Sequence, residues 1–357
     1  MNAATLTIAP DLEQVLSPMR VPFDRMLSAF ERAEHLAGGA HVFRFKVARM
    51  PVVVRVVGDA WAELVGQALG HLPAADESRE ALEICVWDVA ETGVTPTGPH
   101  PDLDAPPIVL KTSADGRYVG EDRHHASMWQ DRETQRIVGF SAGVDTLTLD
   151  ERARPFHKML CAWMIERGVQ FVHAGLVAVD DTAVMLVGNG GAGKSTSSIA
   201  SLLGGLEYLG DDFVGISSTG RNFVGHGFYA SCLLDSGHLR RFPALRSMAR
   251  PPNHEYEHKH VMYLRQAFSE RLVEERPLRA LLLPRVVDAV DTTFEKASPL
   301  EALRAMAPTS VMYLPRPSRA AFERLTDLVE AVPAYWLNLG RDVGQIPGAV
   351  RALIATL

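Results

Sequence analysis

The chain has 357 residues, of which 47% are hydrophobic and 22% charged, a balance typical of globular proteins with large cores. Its net charge of −7 excludes a general electrostatic attraction to nucleic acids. No apolar run approaches the ~20 residues of a membrane span, and the N-terminus shows no basic-then-apolar leader. The three cysteines are far apart and follow no paired spacing, which favours reduced thiols. We therefore expect a cytoplasmic protein.

The first part of the chain predicts a small α/β domain. Strand patterns occur at 41–47, 51–59 and 81–89, and a helix pattern occurs at 61–72. The segment 91–107 is rich in proline and glycine and is typical of a long loop or linker. We place a domain boundary near residue 150. Residues 1–150 are then an acceptor-binding or interaction domain, and residues 151–357 a second, catalytic domain.

The second part opens with a predicted helix over 151–168 that ends at Gly168. Residues 171–188 then predict two strands joined by a turn at Asp180 and Asp181. Such a hairpin indicates a mixed, antiparallel-rich sheet, because purely parallel sheets join neighbouring strands through helices. Further strands are predicted at 206–217, 278–287 and 333–340, and further helices at 195–203 and 298–308.

Residues 188–195 read GNGGAGKS, which fits the phosphate-loop pattern between an apolar strand and a helix. Glycines let the backbone curl around a phosphate, and the helix that follows presents its positive end. Lys194 would reach the β- and γ-phosphates of ATP, and the Ser195 hydroxyl would ligate Mg²⁺. The predicted nucleotide-binding residues are Gly188, Asn189, Gly190, Gly191, Ala192, Gly193, Lys194, Ser195 and Thr196.

Two adjacent acids, Asp211 and Asp212, follow the apolar strand pattern that begins at residue 206. Phosphoryl transfer needs a group that accepts the proton of the acceptor hydroxyl. We assign Asp211 to Mg²⁺ together with Ser195, and Asp212 with His173 to the hydroxyl. The reverse assignment of the two acids stays open. We also expect the negative charge of Asp211 to raise the pKa of Asp212 towards neutrality.

Other polar residues lie between 239 and 264, where the secondary-structure pattern is weak. His254, His258 and His260 are an alternative metal set, but no predicted element there fixes their geometry. Basic residues of the same region are candidates for contacts with nucleotide phosphate or with the acceptor; they are Arg240, Arg241 and Lys259.

His173, the loop and the acid pair occur in that order, with 21 residues from His173 to Lys194 and 17 from Lys194 to Asp211. In this the chain resembles the C-terminal catalytic domain of HPr kinase/phosphorylase and its relatives. That family has a histidine at the end of the preceding strand, a loop G-x-x-G-x-G-K-S and a tandem Asp pair. The resemblance implies a P-loop kinase core shared with phosphoenolpyruvate carboxykinases, and phosphate transfer to a serine hydroxyl.

The chain departs from that family in two ways. We do not find the family's second glycine-rich signature, and residues 1–150 do not resemble the family's N-terminal domain. These departures leave the acceptor open. We expect an ATP-dependent, magnesium-requiring kinase that acts on a serine of a peptide or small protein. The alternatives are a sugar or metabolite kinase and a nucleotide-binding regulator without transfer. The sequence leaves the nucleotide base and the oligomeric state open, a homo-oligomer included.

Overall fold

The computed structural model describes residues 20–78, 80–96, 109–123, 125–312 and 319–357. Most of the predicted linker, residues 97–107, lies outside the described residues. The chain divides into two compact units. The first comprises Met1–Val42, Val54–Gly58 and Leu82–Gly143, and the second comprises Phe43–Val53, Asp59–Ala81 and Val144–Leu357.

The described residues form a mixed α/β fold. The helices are α1 (Arg20–Ala37), α2 (Asp59–Leu69), α3 (Val89–Thr92), α4 (Leu149–Ala153), α5 (His157–Ile165), α6 (Lys194–Leu203), α7 (Ser236–Arg241), α8 (Arg265–Phe268), α9 (Pro299–Met312), α10 (Arg319–Ala331) and α11 (Ile346–Ile354). The strands are β1 (His41–Val47), β2 (Met50–Val57), β3 (Leu82–Asp88), β4 (Val109–Thr112), β5 (Tyr118–Asp122), β6 (Ala126–Asp131), β7 (Arg136–Ser141), β8 (Gln170–Val172), β9 (Gly175–Val179), β10 (Thr182–Leu186), β11 (Glu207–Gly210), β12 (Val214–Thr219), β13 (Asn222–His226), β14 (Ser231–Asp235), β15 (Ala249–Arg250), β16 (Lys259–Tyr263), β17 (Glu275–Val286), β18 (Thr293–Ala297) and β19 (Ala334–Leu339).

In the first unit, strands β3, β7, β6, β5 and β4 follow one another across a sheet. Strands β3 and β7 are parallel, and the remaining pairs in this series are antiparallel. Helix α1 buries Phe23, Met26 and Phe30 in a core that includes Trp87 and Trp129. The three helix residues are spaced by three and four positions, as in an amphipathic helix. This helix was not predicted from the sequence.

In the second unit, one sheet has the strand order β11-β9-β10-β17-β13-β12-β8. The predicted hairpin is confirmed, since β9 and β10 pair antiparallel and Asp180 at the turn has φ +50°. On its other side β10 pairs parallel with β17, which also pairs parallel with β19. The sheet is therefore mixed: β17 has parallel pairs with β10 and β19, and the other neighbouring strands along the order pair antiparallel.

Strand β10 is buried on both faces, which explains why its sequence is a continuous apolar run rather than an alternating one. Val184 and Leu186 belong to a cluster shared with helices α6 and α11. Ala183 and Met185 belong to a second cluster shared with helices α9 and α10. The chain thus leaves β10 from the centre of a packed sheet, and the glycine loop starts from a rigid strand.

The prediction of one helix over 151–168 is wrong, because the structure has two helices with a break between them. Helix α4 begins after Thr148, whose side chain and that of Glu151 form a capping box. Pro155 has no N–H to donate and disfavours helical geometry at the preceding residue, so the chain leaves the helix at Arg154. Phe156 then takes φ +65° before α5 starts. Arg154 therefore occupies the break.

The weakly patterned region after residue 220 contains a further sheet with the strand order β14-β16-β15. Helix α7 follows β14, and Asp235 caps it by accepting a hydrogen bond from the His238 N–H at 2.9 Å. None of the helices in the described ranges combines the length and the apolar character that crossing a bilayer requires.

Candidate active site

The glycine loop connects β10, which ends at Leu186, to α6, which begins at Lys194. Gly191 and Gly193 have φ values of +80° and +107°, in the left-handed region that glycine adopts without strain. A Cβ at Gly193 would also lie 2.5 Å from Leu339 Cδ1. The backbone angle therefore favours glycine at the last position before the helix, and any larger residue would also displace the end of the Leu339 side chain.

We predict that Gly193→Ala lowers the melting temperature of the ligand-free protein by several degrees, because the new methyl group meets Leu339 on a strained backbone. Gly190→Ala is the matched control, since a Cβ at Gly190 would meet no atom of the described residues within 4 Å. Thermal unfolding of both variants checks this. Equal melting temperatures for the two would contradict the packing argument.

Lys194 is buried, with 6% of its surface exposed, and its ammonium group lies at the start of the loop. The Nζ donates hydrogen bonds to Gly188 O at 2.8 Å and Asn189 O at 3.3 Å. Burial lowers the pKa of this amine, and the charges of Asp212 and Asp211 oppose that effect. Lys194 therefore lies within the electrostatic reach of both acids.

The two acids occupy the turn between β11 and β12. Asp212 has φ +69°, an uncommon conformation for a residue with a side chain. Its Oδ1 accepts a hydrogen bond from His173 Nε2 at 3.2 Å, and its Oδ2 accepts one from Arg154 Nη1 at 3.0 Å. Both oxygens of this carboxylate are thus held in place, each by a different element of the second unit.

Arg154 is a site residue that the sequence analysis missed. It is 6% exposed and pairs with Asp150 as well as with Asp212. Its guanidinium carbon lies 4.6 Å from the centroid of the Phe213 ring, and the His173 ring stacks on the same phenyl group. A buried arginine needs such partners to offset its desolvation. The sequence signal that could have identified Arg154 is its position directly before Pro155, where a helix is expected to break.

The pKa values of the two acids are opposite to our expectation. Burial, and then the charge of Asp212, raises the pKa of Asp211 to about 7, which the nearby Ser195 hydroxyl partly opposes. Among the residues that the structure describes, neither Asp211 oxygen has a hydrogen-bond partner of good geometry. Burial acts on Asp212 too, but the His173 hydrogen bond and the Arg154 charge outweigh it and lower its pKa. The expected rise at Asp212 is wrong, because its two cationic partners were not foreseen.

We predict that Asp211→Asn raises the melting temperature of the magnesium-free protein at pH 8. The folded protein holds the Asp211 proton with a pKa of about 7 and the unfolded chain with the ordinary value of 3.8. This carboxyl therefore opposes folding increasingly as the pH rises from about 4 to about 7, and constantly above that. Unfolding scans at pH 4 and pH 8 should show the gain only at pH 8. A lower melting temperature at both values would contradict this.

A cavity of about 660 Å³ joins the loop and one of the acids. Among the residues predicted from the sequence, the lining includes His173, Gly190, Gly191, Gly193, Lys194, Ser195, Thr196 and Asp212. The predicted residues outside the lining are Gly188, Asn189, Ala192 and Asp211. Of the basic candidates, Arg241 and Lys259 line the cavity and Arg240 does not.

A second series of polar contacts lies along the wall of this cavity. His238 Nε2 is 3.0 Å from the Thr196 hydroxyl, and His238 Nδ1 is 3.0 Å from Asp235 Oδ2. The first residue after the loop serine is thereby held by a side chain from α7. His238 was not predicted from the sequence, because no motif distinguishes it and its contact with Thr196 spans 42 residues.

The residues present fit a magnesium ion bound beside a nucleotide. Ser195 supplies a hydroxyl, and Asp211 supplies a buried carboxylate whose oxygens lack good hydrogen-bond partners in the described part of the chain. Mg²⁺ prefers oxygen ligands and commonly takes one or two protein groups together with phosphates and water. The alternative histidine set is not assembled: His254 Nε2 lies 3.0 Å from Thr146 O. Across the described ranges no group of three or more His, Cys, Asp or Glu side chains could hold a metal.

No family model matches the chain, and no curated protein matches it. Among solved structures, it is similar to the HPr(Ser) kinase/phosphatase from Coxiella burnetii, with 12% sequence identity and a TM-score of 0.28. The similarity covers 52% of this chain and 97% of that one. The relationship to that protein is a distant structural one.

Proposed function

We propose that this chain is an ATP-dependent, magnesium-requiring phosphotransferase that acts on a hydroxyl group. The observation that carries the proposal is the shared cavity of about 660 Å³, which brings the loop residues Lys194 and Ser195 to Asp212 and His173. A phosphate-binding loop alone fits any nucleotide-binding protein. A carboxylate held by a histidine and an arginine beside that loop adds the proton acceptor that transfer to a hydroxyl needs.

In this proposal the loop and Lys194 bind the β- and γ-phosphates, and Ser195 and Asp211 hold Mg²⁺. The bound ion supplies neutralisation of the phosphate charge. The acceptor oxygen forms a bond to the γ-phosphorus, and the bond from that phosphorus to the bridging oxygen breaks, so that ADP leaves with the electron pair. Asp212 accepts the hydroxyl proton. The carboxylate is ionised in the neutral range, so it accepts a hydrogen bond from the hydroxyl and takes up the proton as the bond to phosphorus forms; its lowered pKa makes it a weak base that acts by its position.

His173 and Arg154 are positioning residues in this scheme. Each binds a different oxygen of Asp212, at 3.2 Å and 3.0 Å, so the carboxylate cannot rotate away from the acceptor. Hydrogen bonds to both oxygens fix the orientation of the Asp212 carboxylate. This favours catalysis, because a base accelerates proton transfer only when it is correctly oriented towards the hydroxyl.

The proposed acceptor is a serine of a peptide or small protein, which the motif resemblance supports. A sugar or metabolite hydroxyl is the second candidate acceptor. A nucleotide-binding regulator would use the same loop as a switch, but it would have no use for a positioned carboxylate and histidine.

The proposal is tested by incubating the protein with Mg²⁺ and ATP labelled in the γ-phosphate, in the presence of serine peptide and sugar arrays. We expect label to move to one array, or slowly to water, at a rate that depends on Asp212. Saturable binding of ATP without label transfer to any array or to water would favour the regulator and reject the enzyme.

A further inference from the structure

Two cations line the cavity from the side of the β14-β16-β15 sheet. Arg241 is the last residue of α7, and Lys259 is the first residue of β16. Within the described residues neither side chain forms an ion pair or a hydrogen bond. Arg341, a third basic residue of the lining, differs because it pairs with Asp288 at 2.5 Å. Within the described ranges neither Arg241 nor Lys259 is thus committed to a salt bridge.

The same short elements carry both residues into the lining of the cavity. Lys259 lies opposite Asp235 in the antiparallel register of β14 and β16, and Asp235 caps the helix that ends in Arg241. The charge of Lys259 lowers the pKa of Asp211, Asp212 and Lys194, so it lies within electrostatic reach of both acids and the loop lysine.

The nucleotide phosphates already have their own binding groups in the proposed function. Those groups lie in the loop after β10 and at the start of α6. Arg241 and Lys259 come from other elements, α7 and β16. Unpaired cations beside a cavity that also holds Asp212 and His173 attract a negative group near the acceptor hydroxyl.

We propose that Arg241 and Lys259 bind an anionic group, a phosphate or a carboxylate, that the acceptor carries close to the hydroxyl it presents to Asp212. This inference rests on the proposed function and names the acceptor class: an acidic serine peptide, or a small hydroxy compound that carries a phosphate or carboxylate.

The test saturates the protein with Mg²⁺ and a non-hydrolysable ATP analogue, so that the γ-phosphate position is filled, and then titrates inorganic phosphate by calorimetry. We expect saturable phosphate binding that weakens by about tenfold or more in Arg241→Gln and in Lys259→Gln, as for loss of a charged hydrogen bond. Arg240→Gln is the matched control: it removes the same charge from the neighbouring residue of α7, outside the lining. It should leave phosphate binding unchanged.

Phosphate binding that is absent, or that all three variants weaken equally, would overturn the inference. So would a loss of analogue affinity in Arg241→Gln and Lys259→Gln, because the cations would then serve the nucleotide. Failure of the wild-type protein to bind the analogue would instead reject the proposed function and this inference with it.

Competition then separates the two sources of the anion. Displacement of the bound phosphate by an aspartate-rich serine peptide supports a peptide acceptor, and displacement by glycerol phosphate supports a small one. Equal displacement by a neutral serine peptide of the same length would contradict a site for an anion.

Discussion

Replacing Asp212 by asparagine is expected to slow phosphoryl transfer by roughly two to four orders of magnitude, the range for removal of a positioned base. The affinity for magnesium-bound ADP should stay close to that of the wild-type protein, because Asp212 faces His173 and Arg154 rather than Ser195. An asparagine keeps the shape of the side chain but cannot take up the hydroxyl proton.

The measurement is single-turnover transfer of the γ-phosphate together with the affinity for magnesium-bound ADP. Asp211→Asn is the paired variant, and it should weaken magnesium-dependent binding, because it removes a buried carboxylate near the Ser195 hydroxyl. If Asp212→Asn loses metal-dependent binding and Asp211→Asn does not, the roles of the two acids must be exchanged. If neither variant loses transfer, the phosphotransferase proposal fails.

Replacing Lys194 by alanine is expected to weaken the binding of magnesium-bound ATP by roughly 10- to 150-fold, as for loss of a hydrogen bond to a charged group. The fold should persist, because within the described residues Nζ forms hydrogen bonds only to the loop carbonyls of Gly188 and Asn189. A buried ammonium group with so few protein partners is well placed to exchange them for phosphate oxygens.

Calorimetric titration of ATP, with unfolding scans as a check of the fold, measures this effect. Adenosine is the internal control, because it has no phosphate and its affinity should not depend on Lys194. An equal loss of adenosine and ATP affinity would mean that the variant distorts the cavity as a whole. Unchanged ATP affinity would remove Lys194 from the nucleotide site.

The sequence predicted the local parts of this structure well. The apolar run of β10, the glycines and the start of α6 are contiguous, so their pattern alone predicts a strand, a loop and a helix. The hairpin of β9 and β10 was likewise visible as two apolar runs around Asp180 and Asp181. Each of these features depends on residues within one short segment.

The parts that the sequence did not predict depend on contacts between distant segments. Arg154 reaches Asp212 across 58 residues, and it does so from a helix break that a periodicity argument passes over. His238 reaches Thr196 from a region without a clear pattern. The pKa order of Asp211 and Asp212 follows from those partners, so it could not be derived from the adjacency of the acids.

The most direct test of the central claim is a crystal structure of the protein grown with Mg²⁺ and a non-hydrolysable ATP analogue. The account predicts that the backbone of residues 190–195 surrounds the β-phosphate, that the metal lies between Ser195 and Asp211, and that the γ-phosphate faces Asp212. Density for the nucleotide elsewhere, with this loop empty, would contradict it.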